Sequence, residues 1–497
     1  MRSYVLLASA VYGSLSAMTT ALPTPECCSA LAKDLPKNVF ISDSKAWDTH
    51  NKDFWSLTSI LDPSCVFLPE TSGHVSKAVQ ILAENDCKFS IKGAGHSAIP
   101  GAANIHDGVM IAMAWMNSTD IQDDYIRVGA GAHLGELYKA LDPHNKAAVV
   151  GRFSEVGLGM VVGAGISFFS NSEGLAIDNV VNFEVVIASG EVINANATSN
   201  PDLFWALKGG NNNFGVVTQY SLATINTAGM LHGGVITYPE SSFDEVADVI
   251  YDYHTHQAVD DIRTHSLPQY AYDGATNETT AGILVAYNDA VDELPEIMQP
   301  WLKVNYTTNT LGKKTYGELA EELNGRFAGD GFVQEQRVFT VYADAQFYKD
   351  VWFKFRQWFQ DYRDIPGFQG SHGNMPITPR QVEEGVKKGG NALGLQEGPQ
   401  DKTLGIIYFG VTFQDPKDAD KVLPAHKEFV ESMRKLAEDR GVLHPYIMLT
   451  FSGYDQPAIA SYGEKNVAKL HEVSAMYDPK GVFQRLVPGG QKLPARK

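Results

Sequence analysis

The stretch Cys87-Lys-Phe-Ser-Ile-Lys-Gly-Ala-Gly-His-Ser-Ala-Ile-Pro-Gly101 decides how this chain is read. Phe89 and Ile91 alternate with Ser90 and Lys92, the period of a short strand. At Gly93 the side chains vanish, and the chain turns through Gly95, His96 and Ser97. Glycines placed after a strand let backbone N–H groups approach a phosphate closely. Gly93-Ala-Gly-His-Ser-Ala98 imitates the Gly-x-Gly-x-x-Ala dinucleotide fingerprint, but no acidic residue follows about 20 positions on. A histidine in such a turn is unusual, because its ring sits where the backbone needs room. It either bonds to nearby backbone or carries chemistry.

Outward from this turn, residues 65–107 read as one α/β unit. Cys65 to Leu68 is a short apolar strand, and Val75, Ala78, Val79 and Leu82 form a helical stripe. A second unit starts near Tyr125–Val128, with a helix around Leu134–Leu141. The loop Gly151 to Gly165 (GRFSEVGLGMVVGAG) is rich in glycine, so its backbone is open to whatever lies against it, unless it is merely a set of tight turns. Phe183–Ile187 and Val192-Ile193 predict two strands joined by a tight turn. Pro201-Asp202 opens a short helix ending at Lys208-Gly209-Gly210, and Phe214–Thr218 is strand again. From about 226 to 450, strands at Ala281–Tyr287, Phe339–Ala343 and Leu404–Thr412 alternate with helices near 243–256, 345–362 and 417–440, an α+β texture. Phe347, Val351, Phe355, Trp358 and Tyr362 make one aromatic helix stripe, read as core packing.

Composition bounds the partners. The 497-residue chain is 44% apolar and 20% charged, ordinary for a globular protein. Its 40 basic and 58 acidic residues give a net charge of −18, against nucleic acid and anionic membrane as partners. Arg2, the apolar run Tyr4–Ala17 and small residues at Ser14, Ser16, Ala17 and Ala21 predict a secretory signal over residues 1–21, the alternative being a buried first helix. No later apolar run reaches the ~18–20 residues of a membrane span. Cys27, Cys28, Cys65 and Cys87 suit two disulfides in an oxidising compartment, with Cys27 and Cys28 each reaching Cys65 or Cys87. No CxxC pair or histidine cluster supports a metal. Sequons at Asn117, Asn196, Asn277 and Asn305 fit a secreted glycoprotein.

Seven motifs stand in order: Cys-Val-Phe-Leu-Pro at 65–69, Lys-Gly-Ala-Gly-His-Ser at 92–97, Val-Gly-Leu-Gly at 156–159, Gly-Ile-Ser-Phe-Phe at 165–169, Asp-Asn-Val-Val at 178–181, Phe-Gly-Val-Val-Thr at 214–218 and Tyr-Asp-Pro at 477–479. Together the chain resembles the secreted fungal FAD-linked oxidases of the berberine-bridge-enzyme-like group, in the vanillyl-alcohol-oxidase (PCMH-type) superfamily. The resemblance implies an α+β fold. A PCMH-type FAD-binding domain of two α/β subdomains would span 40–225, an α+β substrate domain of antiparallel sheet backed by helices 226–453, and a C-terminal segment returning to the first domain 454–497. It also implies that His96 bonds covalently to the flavin 8α-methyl. The backbone of Lys92, Gly93, Ala94, Gly95 and Ser97, and of Gly157, Gly159, Gly163 and Gly165, would cradle the phosphates and ribityl chain. Asn179, Val180, Phe214 and Gly215 would lie along the cofactor. Val156 matches the position near flavin C4a where a valine goes with oxygen reactivity.

Two departures from the family pattern matter. Many members carry a second flavin link, a cysteine three residues before the Val-Gly-Val-Gly motif; here that position is Phe153. The plant enzymes place a glutamate base before a Gly-Asn pair. The pair matches Gly390-Asn391, but the approach, Asn374–Thr378, has no acid. The base is therefore unassigned, with Tyr408, Tyr454 and Tyr462 as candidates. The implied activity is hydride transfer from a small secondary metabolite to flavin N5, with O₂ as acceptor and H₂O₂ released. The alternatives are a secreted carbohydrate oxidase and a flavoprotein guiding cyclisation without net redox. A monomer or weak homodimer is expected.

Overall fold

The computed structural model describes residues 24–325, 329–397, 399 and 401–496; the expected signal segment, residues 1–21, lies outside the described residues. Among those residues the strands form three sheets, of four, six and nine strands. The four-stranded sheet runs Val39–Ile41, Cys65–Phe67, Val109–Ala112, Phe89–Lys92, its first pair antiparallel and the other two parallel. Parallel strands need a crossover, and the helix Ser72–Glu84 supplies it. Thr71 caps that helix by accepting from the His74 N–H, and Val75, Ala78, Val79 and Leu82 are buried. The chain leaves Phe89–Lys92 straight into the glycine turn, at the carboxyl end of a parallel strand, where α/β sheets bind ligands.

Cys27 pairs with Cys87 and Cys28 with Cys65. Both first partners lie on the helix Thr24–Asp34, where successive residues diverge by about 100° and so reach different neighbours. The helix is thereby stapled to this sheet. Three sequon asparagines, Asn117, Asn277 and Asn305, are exposed. Asn196 is half-buried, and its Nδ2 donates to Asn182 Oδ1 at 2.9 Å.

The six-stranded sheet is antiparallel throughout, in the order Thr119–Ile121, Tyr125–Gly129, Val216–Asn226, Val180–Val186, Val192–Ala195, with Lys146–Ala148 also on Val216–Asn226. The strand expected at Phe214 begins at Val216 and runs on to Asn226. The nine-stranded sheet is antiparallel too, and the helices Phe243–Asp252, Ala345–Gln360 and Ala419–Asp439 pack with it. Strand periodicity then divides its side chains between two layers. Along Leu404–Phe413, Ile407, Phe409 and Val411 join the helix-backed core with Phe347, Val351 and Phe355. Ile406 and Tyr408 face the other way, into the core shared with the two smaller sheets. Trp358, stacked on Phe429 at 5.0 Å, extends the same aromatic core.

The last segment lies against the four-stranded sheet: Phe89 N–H donates to Leu486 C=O at 2.7 Å, and Arg485 pairs with Asp86 at 2.8 Å. Among the described residues no helix is long and apolar enough to cross a membrane, and no His/Cys/Asp/Glu cluster suits a metal ion.

Candidate active site

Between the glycine loops and the nine-stranded sheet lies a cavity of about 670 Å³. Gly93 to Ser97 form one wall and residues 151–166 contribute another; Tyr408 and Leu267 come from the sheet, and residues 449–454 close the far side. The glycines set how closely these parts approach. A Cβ on Gly157 would sit 2.6 Å from the Ala94 Cβ, so the two loops touch backbone to backbone. Gly95 adopts φ +79°, and a Cβ there would lie 2.7 Å from both Asp53 C=O and Lys92 Cε. No other residue type fits that turn.

Ala94, Gly95, His96, Ser97 and Ala98 donate no backbone N–H to a protein acceptor among the described residues. A run of unpaired donors bordering a cavity is suited to an anionic phosphate. Gly159 opens onto empty space, with nothing within 4 Å of its Cβ position. This donor set and the backbone-lined trough fit FAD, whose pyrophosphate needs such a cradle. The imidazole of His96 stacks on Trp55, with centroids 4.7 Å apart and planes within 18°. Desolvation, with a smaller contribution from His133, pulls its pKa down to about 4. The ring is therefore neutral at ordinary pH, with a nitrogen lone pair free to bond to carbon.

The structure brings many of the sequence-derived residues together. Gly93, Ala94, Gly95, His96, Ser97, Val156, Gly157, Gly159, Gly165 and Gly215 line the cavity, and Phe153 lies beside them. Others stand back from it. Lys92 is buried, its Nζ donating to Asp53 Oδ2 at 2.9 Å and His50 C=O at 3.0 Å, which ties the turn to the end of the helix Lys45–Lys52. Burial lowers its pKa and Asp53 opposes that shift. Asn179 gives its Nδ2 to the Glu173 and Leu175 carbonyls and accepts from Lys388 Nζ. Val180 and Phe214 are core, and a Cβ on Gly163 would meet Leu449 at 3.0 Å. Asn391 donates to the buried Asp178 and lies outside the cavity, as does Gly390.

Of the three tyrosines, Tyr408 lines the cavity, is buried and stacks on Phe451 at 4.9 Å. Burial pushes its phenol up to about 12, partly opposed by the charge of Arg152. Tyr454 is at the rim, 65% exposed. Tyr462 lies outside, its hydroxyl donating to Gly209 C=O at 3.1 Å. Glu335 also borders the cavity, but Arg337 Nε donates to one oxygen at 3.0 Å and His426 Nδ1 lies 2.7 Å from the other. Sequence reasoning missed Trp55 and Arg152. Trp55 carries no local signal; Arg152 had one, as the only cation in a glycine-rich loop.

Comparison with known proteins agrees with this geometry. Residues 63–196 match the family described as an FAD binding domain. An FAD-dependent monooxygenase of Cochliobolus heterostrophus is 32% identical over 443 residues, covering 87% of this chain and 85% of that protein. The fold matches 6-hydroxy-D-nicotine oxidase from Arthrobacter nicotinovorans with a TM-score of 0.77 at 18% identity, over 92% of this chain and 97% of that one. It matches glucooligosaccharide oxidase from Acremonium strictum, a protein with 6-S-cysteinyl, 8α-N1-histidyl FAD, with a TM-score of 0.75 at 21% identity, over 96% and 100%.

Proposed function

Because this chain belongs to the FAD-dependent oxidoreductases of the berberine-bridge-enzyme-like, PCMH-type family, we propose that it holds FAD through one covalent bond at His96 and oxidises a small secondary metabolite with O₂, releasing H₂O₂. The observation that carries this reading is the neutral His96 imidazole beside a run of unpaired backbone N–H groups in one large cavity. Bound FAD supplies the two-electron acceptor.

The chain's own residues do the rest. The N–H groups of Ala94 to Ala98 hold the pyrophosphate, and Trp55 fixes the plane of the His96 ring. Phe153 offers no nucleophile, so a second link of the kind named for the Acremonium protein is not made here. Val156 is small enough to leave O₂ a path to the site. The Tyr408 hydroxyl, protonated at neutral pH, donates to the substrate oxygen or nitrogen and orients its reacting carbon. Two disulfides and the signal-like N-terminus support action outside the cell.

The relatives' name favours a second reading, in which one oxygen atom enters the product. Incubating the purified protein under ¹⁸O₂ with benzylic alcohols, polyketide and alkaloid precursors, and mono- and oligosaccharides tests both. One H₂O₂ per substrate oxidised, with no label in the product, is expected. Labelled product establishes the monooxygenase, turnover of sugars alone the carbohydrate oxidase, and product without net redox the cyclisation role.

A further inference from the structure

Residues 55–59 run as a strap between the glycine turn and the nine-stranded sheet. On one side they occupy three carbonyls of the turn. Trp55 N–H donates to Gly95 C=O at 3.2 Å, Ser59 Oγ to Ser97 C=O at 2.7 Å and Thr58 Oγ1 to Ala98 C=O at 3.0 Å. Across a trans peptide the following N–H points the opposite way, so the N–H of His96 and that of Ala98 face away from the strap. On the other side the strap is held at the start of the strand Val333–Tyr342. Leu57 N–H donates to Phe332 C=O at 2.8 Å, and Ser56 Oγ accepts from Gln334 N–H at 3.0 Å and donates to its C=O at 3.2 Å. Gln334 Nε2 donates to Trp55 C=O at 3.0 Å, while Thr412 Oγ1 from the neighbouring strand donates to Gln334 Oε1 at 3.3 Å. Ser56 and Gln334 are buried, so water does not compete for these bonds.

We propose that Gln334 is a positioning residue for the flavin link: through the Trp55 carbonyl it fixes the indole on which His96 lies, so that the nine-stranded sheet sets the plane of the attacking imidazole. Trp55 is gripped at both ends of its main chain, its N–H by Gly95 and its C=O by Gln334, which leaves only side-chain rotamers to place the ring. That ring lies 4.7 Å from the imidazole, stacked on it. Attachment forms a bond from an imidazole nitrogen to the flavin 8α carbon and breaks one 8α C–H bond. The electron pair of that bond reduces the flavin, and O₂, the acceptor of the proposed activity, takes two electrons with the N–H and C–H protons as H₂O₂. Such a step needs the nitrogen lone pair aimed at the carbon, and a misplacement of about 1 Å costs up to about 100-fold. The proposal rests on the reading of His96 as the flavin link.

The test follows the acid-stable share of the flavin in the full chain, purified at successive times after induction. Gln334→Met keeps the length of the side chain and removes its donor. It is expected to hold as much total FAD as the parent and to attach it several-fold more slowly, and to add little in the Trp55→Ala background. Ser56→Ala, which cuts the adjacent bonds to Gln334, is expected to slow attachment too, and it carries the test if Gln334→Met does not fold. Attachment at the parental rate in these variants overturns the proposal, as does full additivity with Trp55→Ala. So does a loss of total FAD in step with a lower Tm, because Gln334 would then act on stability alone. A parent without acid-stable flavin speaks against the His96 link, and the same proteins labelled with ¹⁵N-histidine then test Gln334 by NMR. Burial, with His133 adding, holds His96 at about 4 in the parent. Loosening Trp55 admits water, so His96 should titrate nearer its ordinary value in Gln334→Met. A titration unchanged from the parent overturns the proposal.

Discussion

Trp55 lies flat on His96, and its backbone N–H also donates to the Gly95 carbonyl at 3.2 Å. One residue therefore holds both the turn and the plane of the ring within it. Stacking of this kind is worth about 0.5–1.5 kcal/mol. Trp55→Ala is expected to slow covalent flavin attachment several-fold, and Trp55→Phe to slow it less. His96→Ala should abolish attachment while leaving FAD bound through the backbone. Acid precipitation checks all three: flavin stays in the pellet of the parent, divides between pellet and supernatant in Trp55→Ala, and is released from His96→Ala.

Val156 borders the cavity beside Gly157. One added methylene narrows the space O₂ must enter. Val156→Leu should slow flavin reoxidation by about 10-fold or more, about 1.4 kcal/mol of barrier, and leave reduction by substrate unchanged. Stopped-flow spectroscopy separates the two half-reactions.

Gly373 makes room for Tyr408, since a Cβ there would lie 2.0 Å from the Tyr408 Cε1 and 2.5 Å from its hydroxyl. The ring is backed by Phe451 and cannot shift freely. Tyr408→Phe should lower kcat by about 100-fold. Gly373→Ala, which keeps the hydroxyl but displaces it, should lower kcat as well and cost about 1–3 kcal/mol of stability from overpacking. Steady-state kinetics with denaturant melts of both variants tests the pair.

Two buried histidines outside the cavity predict acid sensitivity. His254 has Nδ1 2.9 Å from the Tyr348 hydroxyl, and His372 has Nδ1 3.1 Å from the Tyr408 carbonyl. Burial pulls them down to about 3 and about 4. In the unfolded chain both titrate near 6.5. Above that pH both states are neutral and there is no effect. As pH falls from about 6.5 toward 4 the unfolded chain takes up protons that the folded one refuses, so stability falls by about 1.4 kcal/mol per pH unit for each histidine. These two contribute about 4 kcal/mol between pH 7 and pH 5 in urea melts, His96 and His265 adding to the same slope, and His372→Gln should remove one histidine's share of it, about 1.4 kcal/mol per pH unit.

The disulfides join residues 60 and 37 positions apart. Cross-links of that span contribute about 4 kcal/mol each by restricting the unfolded chain. Cys28→Ser with Cys65→Ser should lower the unfolding free energy by that order, and thiol titration of the unfolded parent should find no free thiol.

Local pattern alone determined a good deal. The strand at Phe89–Lys92, the stripe of Val75, Ala78, Val79 and Leu82, and the Pro201 helix start each depend on neighbours within a few residues, and each is found in place, although Ser90 and Lys92 are buried in that strand along with Phe89. The aromatic stripe from Phe347 read correctly as core because helical spacing puts those rings on one face. The glycines of the 93–97 turn were legible because Gly95 needs φ +79°, a demand written in the residue itself. Local pattern also started one strand two residues too early, at Phe214, where it begins at Val216.

What lies between elements distant in sequence was decided only by tertiary structure. Whether Cys27 reached Cys65 or Cys87 depended on the rotation of one helix against a sheet. Tyr408 and Tyr462 look alike in sequence, yet one borders the cavity and the other is spent on Gly209, because strand register and helix packing set the direction of each side chain. Asn179, motif residue or not, is consumed by Lys388 from 209 positions away. Trp55 meets His96, and Arg152 meets Met375 across 223 residues, through folding alone. The sequence states which residues have chemistry to offer; whether a polar atom is satisfied depends on which other atoms surround it, and that is a property of three-dimensional packing.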